Sequence, residues 1–286
     1  MDRRITGLYD DFRKGMLDRR TFLKKLALVT GSTAAAMSML PLLEENAAAA
    51  PASASVQDQG LITEFIKYPA ETGEMRAFMA RPDKGTKFPA VIVIHENRGL
   101  VPHIQDVTRR MAREGFLSVA PDALSPLGGT PEDVSNVGEM FRKLDSEETT
   151  KNFVAAVAYL KTHPLSNGKV GCTGFCWGGA MTNQVAVNAP DLDAAVPYYG
   201  RQPSAEDVAR LKAPVMAHYA ENDQGINAGI AGFEAALKAN NKEYQFFMYE
   251  GTSHAFNNDT NADRYNEKAA KLAWERTTAF FREKLK

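Results

Sequence analysis

From Leu61 onward, short apolar runs alternate with segments of helical periodicity, and this alternation restricts the fold more than any other feature. The run Ala90–His95, A-V-I-V-I-H, has no polar alternation and reads as a strand buried on both faces. Further strands are expected at Leu61–Tyr68 and Met75–Arg81, joined by a turn at Glu71–Gly73. Others follow at Leu117–Ala120, Lys169–Phe175, Ala194–Tyr199, Val215–Tyr219 and Tyr244–Tyr249. Helices are expected at His103–Arg113 (stopped by Gly115), Glu147–Thr162, Gly178–Ala189, Gly229–Ala239 and Asn261–Lys284. Pro121 to Asp145 reads as a long loop with a helical turn near Val134–Leu144. Strands alternating with helices imply an α/β fold, a mostly parallel central sheet with helices on both faces.

The 286 residues suit one large domain, and a net charge of −1 supplies no field that would favour nucleic acid or an anionic membrane. The only two cysteines, Cys172 and Cys176, fall where a strand enters a turn. An extended strand separates them by roughly 13 Å, out of disulfide reach.

The N-terminus differs in composition. D-R-R-T-F-L-K-K from Asp18 to Lys25 precedes an uncharged stretch, Leu26–Leu43, and an Ala-rich segment, Asn46–Ser55. These are the parts of an export signal. Arg19-Arg20 with Phe22-Leu23-Lys24 resembles a twin-arginine address read by export machinery, with Asp18 where Ser or Thr is usual. A docked amphipathic helix is the competing reading, on the spacing of Tyr9, Phe12, Met16, Leu17, Phe22, Leu23 and Leu26. Gly31, Ser32 and Thr33 make the stretch too polar and short for a stable membrane span. Residues 1–55 are therefore read as an export signal or helical extension and 56–286 as the catalytic domain. The expected location is periplasmic or exported, with cytoplasmic as the alternative.

Gly174-Phe175-Cys176-Trp177-Gly178-Gly179 has the form of a nucleophile elbow, G-x-S-x-G, with Cys for Ser. The glycines leave room for a tight turn. The helix that follows aims its N-terminus at the thiol, and the Trp177 N–H is placed to donate to an oxyanion. An acid and a base are then required, in the order nucleophile, acid, base. Asp223, after the strand Val215–Tyr219, and His254, after Tyr244–Tyr249, fit that order at the carboxyl ends of strands. Each has a plainer alternative. Cys176 can be inert packing, Asp223 can cap a helix beginning near Ile226, and a loop histidine is often only solvated.

With H-E-N-R-G at His95–Gly99, P-D at Pro121–Asp122, G-F-C-W-G-G, and Y-Y-G at Tyr198–Gly200, the chain resembles the dienelactone hydrolase family from about Leu61 to its C-terminus. The resemblance implies an α/β-hydrolase fold and a Cys-His-Asp triad of Cys176, His254 and Asp223. It implies that Glu96 holds the resting thiol and that the Asn97 N–H is the second oxyanion donor. His95-Glu96 lacks the second histidine of a zinc motif, and no metal or organic cofactor is expected.

The family's two carboxylate-binding arginines are missing, because Pro126 and Asn258 occupy their positions. Selection for a free carboxylate is therefore expected to be weak, with Arg98 and Arg201 as candidate replacements and Tyr198, Tyr199 and Trp177 as candidate pocket lining. The expected activity is hydrolysis of a small-molecule ester or lactone through a covalent acyl-enzyme. The competing readings are a non-catalytic binding or stress protein on the same fold, and a thiol-redox role for Cys176.

Overall fold

The computed structural model describes residues 8, 19–30, 32, 56–58 and 60–286. The chain divides between residues 54 and 55 into two units. In the first, Arg19 and Arg20 open helix α1 (Arg19–Thr30). Asp18, the stretch from residue 33 to 55 with its cleavage region, and Tyr9, Phe12, Met16 and Leu17 lie outside the described residues. No helix among the described residues is long and apolar enough to cross a membrane.

The second unit is built on one nine-stranded sheet. Its strands are β1 (Val56–Asp58), β2 (Leu61–Ala70), β3 (Gly73–Pro82), β4 (Phe88–Ile94), β5 (Leu117–Pro121), β6 (Ser166–Phe175), β7 (Ala194–Tyr198), β8 (Val215–Asn222) and β9 (Tyr244–Ser253). They lie in the order β1-β2-β3-β5-β4-β6-β7-β8-β9. The β1-β2-β3 edge pairs antiparallel, as does β3 with β5. From β5 to β9 every pairing is parallel, as the βα alternation requires.

The continuous apolar run of β4 is explained by its position. Ala90, Ile92 and Ile94 face one core, with α4 (Ser146–Thr162) and α5 (Trp177–Asn188). Val91 and Val93 face the other, with α2 (Pro102–Arg113) and α9 (Glu267–Lys284). Period-two side-chain alternation thus feeds two hydrophobic layers from one strand. The remaining helices are α3 (Val137–Lys143), α6 (Ala205–Val208), α7 (Gln224–Asn227) and α8 (Ile230–Ala239).

The structure departs from the sequence expectations in several places, the short helices α6 and α7 among them. Strand β1, V-Q-D, was not foreseen, because three residues carry no readable period. The loop from Pro121 to Asp145 holds the expected helical turn, as a 3₁₀ turn at Val134–Asn136 running into α3, and adds a 3₁₀ turn at Ser125–Leu127, with Asp145 capping α4 by accepting from Glu148 N–H. The terminal helix starts at Glu267 and not at Asn261, because the Asn266 side chain accepts from Ala269 N–H and caps it there.

Packing is tightest where β6 turns into α5. A methyl group at Gly178 would fall on the Ile94 and His95 carbonyl oxygens, and one at Gly174 on the Gly178 carbonyl. Gly232, in α8, has nothing within 4 Å of such a methyl group. Gly178→Ala is expected to lower stability by on the order of 3 kcal/mol, the upper part of overpacking costs. Gly232→Ala is expected to gain up to about 1 kcal/mol. Urea midpoints of the two variants check the contrast, and equal midpoints would show that the turn tolerates a side chain.

Candidate active site

Cys176 occupies the turn itself, with φ 55° and ψ −114°, a conformation that costs a non-glycine residue on the order of 1–3 kcal/mol. It is held by Cys176 N–H donating to Tyr198 O (3.1 Å) and by its carbonyl accepting from Ala180 N–H (3.1 Å). The thiol is half-buried, whereas Cys172 is fully buried with its sulfur 3.7 Å from the Thr182 hydroxyl. Both cysteines are free.

Asp223 is at the head of α7, yet its carboxylate makes no cap hydrogen bond there. Oδ2 instead accepts from His254 Nδ1 at 2.5 Å. A carboxylate only accepts, so the imidazole proton sits on Nδ1 and leaves Nε2 with its lone pair. His254 lies on the turn that follows β9, where Phe256 N–H donates to Ser253 O and Ala255 takes φ 71°. The Tyr199 ring packs against the imidazole at 5.0 Å. The expected acid and base are thus brought together, and Cys176 forms no hydrogen bond with either in this conformation.

Glu96 follows β4. Its carbonyl accepts from His95 Nδ1 (2.7 Å), while His95 Nε2 accepts from Ala123 N–H (3.0 Å). Both ring nitrogens of this buried histidine are therefore committed to backbone, and burial lowers its pKa. A second clamp runs through Asp122, whose carboxylate takes the Thr130 hydroxyl and N–H and the Leu124 N–H. Thr130 Oγ1 in turn accepts from Leu100 N–H (2.8 Å). The segment His95–Leu100 is thereby fixed to the segment after β5, and the Asn97 N–H it carries has no backbone acceptor among the described residues. The Glu96 carboxylate accepts from Asn258 Nδ2 at 2.7 Å and forms no hydrogen bond with the thiol.

Burial pushes the Cys176 thiol up to about 11, and the negative charges of Glu96 and Asp223 act in the same direction. The Trp177 N–H and the positive charge of Arg264 oppose it. Arg264 was not foreseen, because an exposed arginine ten residues past His254 carries no motif. Arg98 and Arg201 are exposed, and neither forms an ion pair among the described residues. Tyr198 is fully buried, with its hydroxyl 2.6 Å from Thr277 Oγ1, and so belongs to the core and not to a pocket wall. Tyr199, at φ 36°, is also buried, and the Asn257 N–H points at its hydroxyl without completing a hydrogen bond. Trp177 is stacked on His95 at 5.5 Å and meets Phe141 edge-on at 5.0 Å.

A mostly parallel sheet with a strained cysteine at a strand–helix turn, and an Asp–His pair at the ends of later strands, defines an α/β-hydrolase. The dienelactone hydrolase family profile matches residues 75–285, and the chain belongs to that family. It is accordingly a hydrolase that acts on esters or lactones. The "Putative carboxymethylenebutenolidase" of Methylorubrum extorquens is 32% identical, with 93% of each chain covered. The crystal structure of a "Putative Dienelactone Hydrolase" from Klebsiella pneumoniae is 29% identical with a TM-score of 0.69, covering 77% of this chain and 98% of that one. A dienelactone hydrolase-like promiscuous phosphotriesterase from metagenomic libraries shares the fold at 20% identity and a TM-score of 0.71, covering 79% of this chain and 100% of that one.

A thiol with its pKa raised to about 11 is almost entirely protonated at neutral pH. Alkylation of Cys176 by iodoacetamide is expected to keep accelerating beyond pH 9, where an unperturbed thiol already levels off. Cys172, pushed up to about 12 and fully buried, is expected to stay unlabelled in the native protein. Peptide mapping over a pH series checks both, and a plateau below pH 8 at Cys176 would mean a thiolate at rest.

Proposed function

We propose that the protein hydrolyses a small-molecule ester or lactone through a cysteine nucleophile and a covalent acyl-enzyme, with Cys176, His254 and Asp223 as the triad. The observation that carries this reading is that Asp223 gives its carboxylate to His254 while Cys176 is held at φ 55° at the head of α5. A buried cysteine with only a packing role has no need of a strained backbone, and a capping aspartate would have bonded to α7.

In the first half-reaction the Cys176 proton passes to His254 Nε2 and the sulfur attacks the substrate carbonyl carbon. The carbonyl electron pair moves to oxygen, where the N–H groups of Trp177 and Asn97 receive it. The carbonyl re-forms as the C–O bond to the leaving group breaks, and the imidazolium returns its proton to the departing oxygen. Water then loses a proton to His254 and attacks the thioester, and the thiol leaves reprotonated. Asp223 keeps the imidazole in the tautomer both halves need. Glu96 disfavours the free thiolate until a substrate is present.

The substrate class departs from that implied by the relatives' names, since Pro126 and Asn258 stand where arginines would bind a carboxylate. Cys176→Ala is expected to abolish turnover of activated esters while leaving the unfolding transition in place. A matched pair of neutral and anionic lactones is expected to differ by less than about tenfold in kcat/KM, because no paired guanidiniums anchor the acid. Residual hydrolysis by Cys176→Ala would remove the nucleophile assignment. A preference of about a hundredfold for the anion, abolished by Arg264→Gln or Arg98→Ala, would make that arginine the anchor.

The location we propose is periplasmic or otherwise exported, on the Arg19-Arg20 signal. Replacing both arginines by lysine is expected to leave the precursor in the cytoplasm, and the wild-type mature N-terminus is expected between about Ala48 and Ser55. N-terminal sequencing of the protein from cell fractions checks this. An uncleaved cytoplasmic wild-type chain would favour the helical-extension reading.

A further inference from the structure

The contact between Glu96 and Asn258 joins segments 162 residues apart in sequence, the turn after β4 and the turn after β9 that also carries His254. Asn258 is not free to present its amide either way round. Its Oδ1 accepts from both the N–H (3.0 Å) and the hydroxyl (2.6 Å) of Thr260, so the NH₂ group is the side directed at Glu96 Oε2. Its backbone is fixed as well, with Asn258 N–H on Ala255 O and Asn261 N–H on Asn258 O. The other end of the contact is equally constrained, since His95 holds the Glu96 carbonyl.

We infer that Asn258 is the positioning residue of this site, a neutral donor that fixes the Glu96 carboxylate on the turn after β4 and so sets how readily the Cys176 thiol ionises. A carboxamide does not titrate near neutral pH, so this hold is independent of pH. It also orients the carboxylate without cancelling its charge, which a guanidinium in the same place would do. The inference rests on the reading of Cys176 as nucleophile.

The groups that act on the thiol come from every element around it. Glu96 comes from the turn after β4, Asp223 from the end of β8, and Arg264 from the segment before α9. Tyr199, at the end of β7, has Cys176 and Glu96 for neighbours and packs on the His254 ring, and His103 on α2 also feels Glu96. The Trp177 N–H acts on the thiol directly, whereas Asn258, oriented by Thr260, acts on it through Glu96 without adding a charge. Releasing Glu96 from Asn258 lets the carboxylate turn towards solvent, which weakens its field at sulfur and favours the thiolate.

The test is the pH profile of Cys176 alkylation by iodoacetamide, read by peptide mapping on the full chain. Glu96→Gln is expected to lower the profile's midpoint by about one unit, which is about tenfold faster labelling at pH 8. Asn258→Leu is expected to accelerate labelling at least about threefold in the same direction. The exposed Thr260→Val, which leaves the core untouched and removes one restraint on the amide, is expected to give a smaller shift of the same sign. In a Glu96→Gln background, Asn258→Leu is expected to have no further effect, the sign of a residue acting through Glu96. A purely structural role would lower kcat without moving the midpoint. An unmoved or raised midpoint in Asn258→Leu, or an effect that persists undiminished without Glu96, overturns the inference. Labelling reads the thiol whether or not it turns over substrate, so a failure of the nucleophile assignment is seen separately, as hydrolysis by Cys176→Ala.

Discussion

The close approach of the β6–α5 turn to the carbonyls that end β4 is the constraint from which the rest of the site follows. Gly178 lies so near Ile94 O and His95 O that only a hydrogen fits between them, and Cys176 N–H reaches across to Tyr198 O at the end of β7. Three adjacent parallel strands therefore end in register around one sulfur atom. The positive φ at Cys176 is a local cost that this packing covers, and it lifts the side chain off the sheet. Parallel pairing of β8 and β9 then brings Asp223 and His254 level with each other, since Asn222 and Ser253 are register partners.

Around that centre the buried polar groups are satisfied by one another. Two hydrogen bonds tie the segment after β4 to the segment after β5, from Ala123 N–H to His95 Nε2 and from Leu100 N–H to Thr130 Oγ1, and Asp122 holds Thr130 in place for the second. Beneath the site, His218 is flanked by the Tyr249 hydroxyl (2.9 Å) and Thr277 Oγ1 (3.0 Å), and Thr277 also meets the Tyr198 hydroxyl. Burial pushes His218 down to about 3, so it remains neutral across the working range and serves as a cross-brace between the sheet and α9. The Tyr199 hydroxyl stands outside this economy of partners: buried, unsatisfied and against the His254 ring.

Much of this was legible in the chain. The β4 run announced a strand buried on two faces, and the glycines around Cys176 announced a turn too tight for side chains, because both are strong local signals. The pairing of Asp223 with His254 was readable from their places at the ends of successive strands. What stayed hidden depends on contacts between distant residues. Nothing local distinguishes Tyr198, which the structure buries against Phe175 and Thr277, from Tyr199, which faces His254. Arg98 and Arg201 drew notice by sitting beside motifs, whereas Arg264, the cation that bears on Cys176, lies in an unpatterned segment. Strand β1 was too short to show a period.

The position of Asn258 shows how a missing residue changes meaning once its neighbours are known. In sequence it is an absence, an asparagine where a carboxylate-binding arginine would stand. In the structure it has a partner of its own, Glu96, and a second residue, Thr260, that orients it. Replacing a guanidinium by an amide removes a full positive charge from a half-buried site that already contains Glu96 and Asp223, and the negative balance left behind favours the protonated thiol. The same substitution therefore bears on two properties at once. On the proposed function, it would weaken the attraction for an anionic substrate and make the Cys176 thiol more reluctant to ionise. A reluctant thiol is also a protected one, since alkylating agents and oxidants attack the thiolate. Under the proposed mechanism, such a thiol suits carbonyls whose leaving groups depart easily, with its proton passing to His254 during attack.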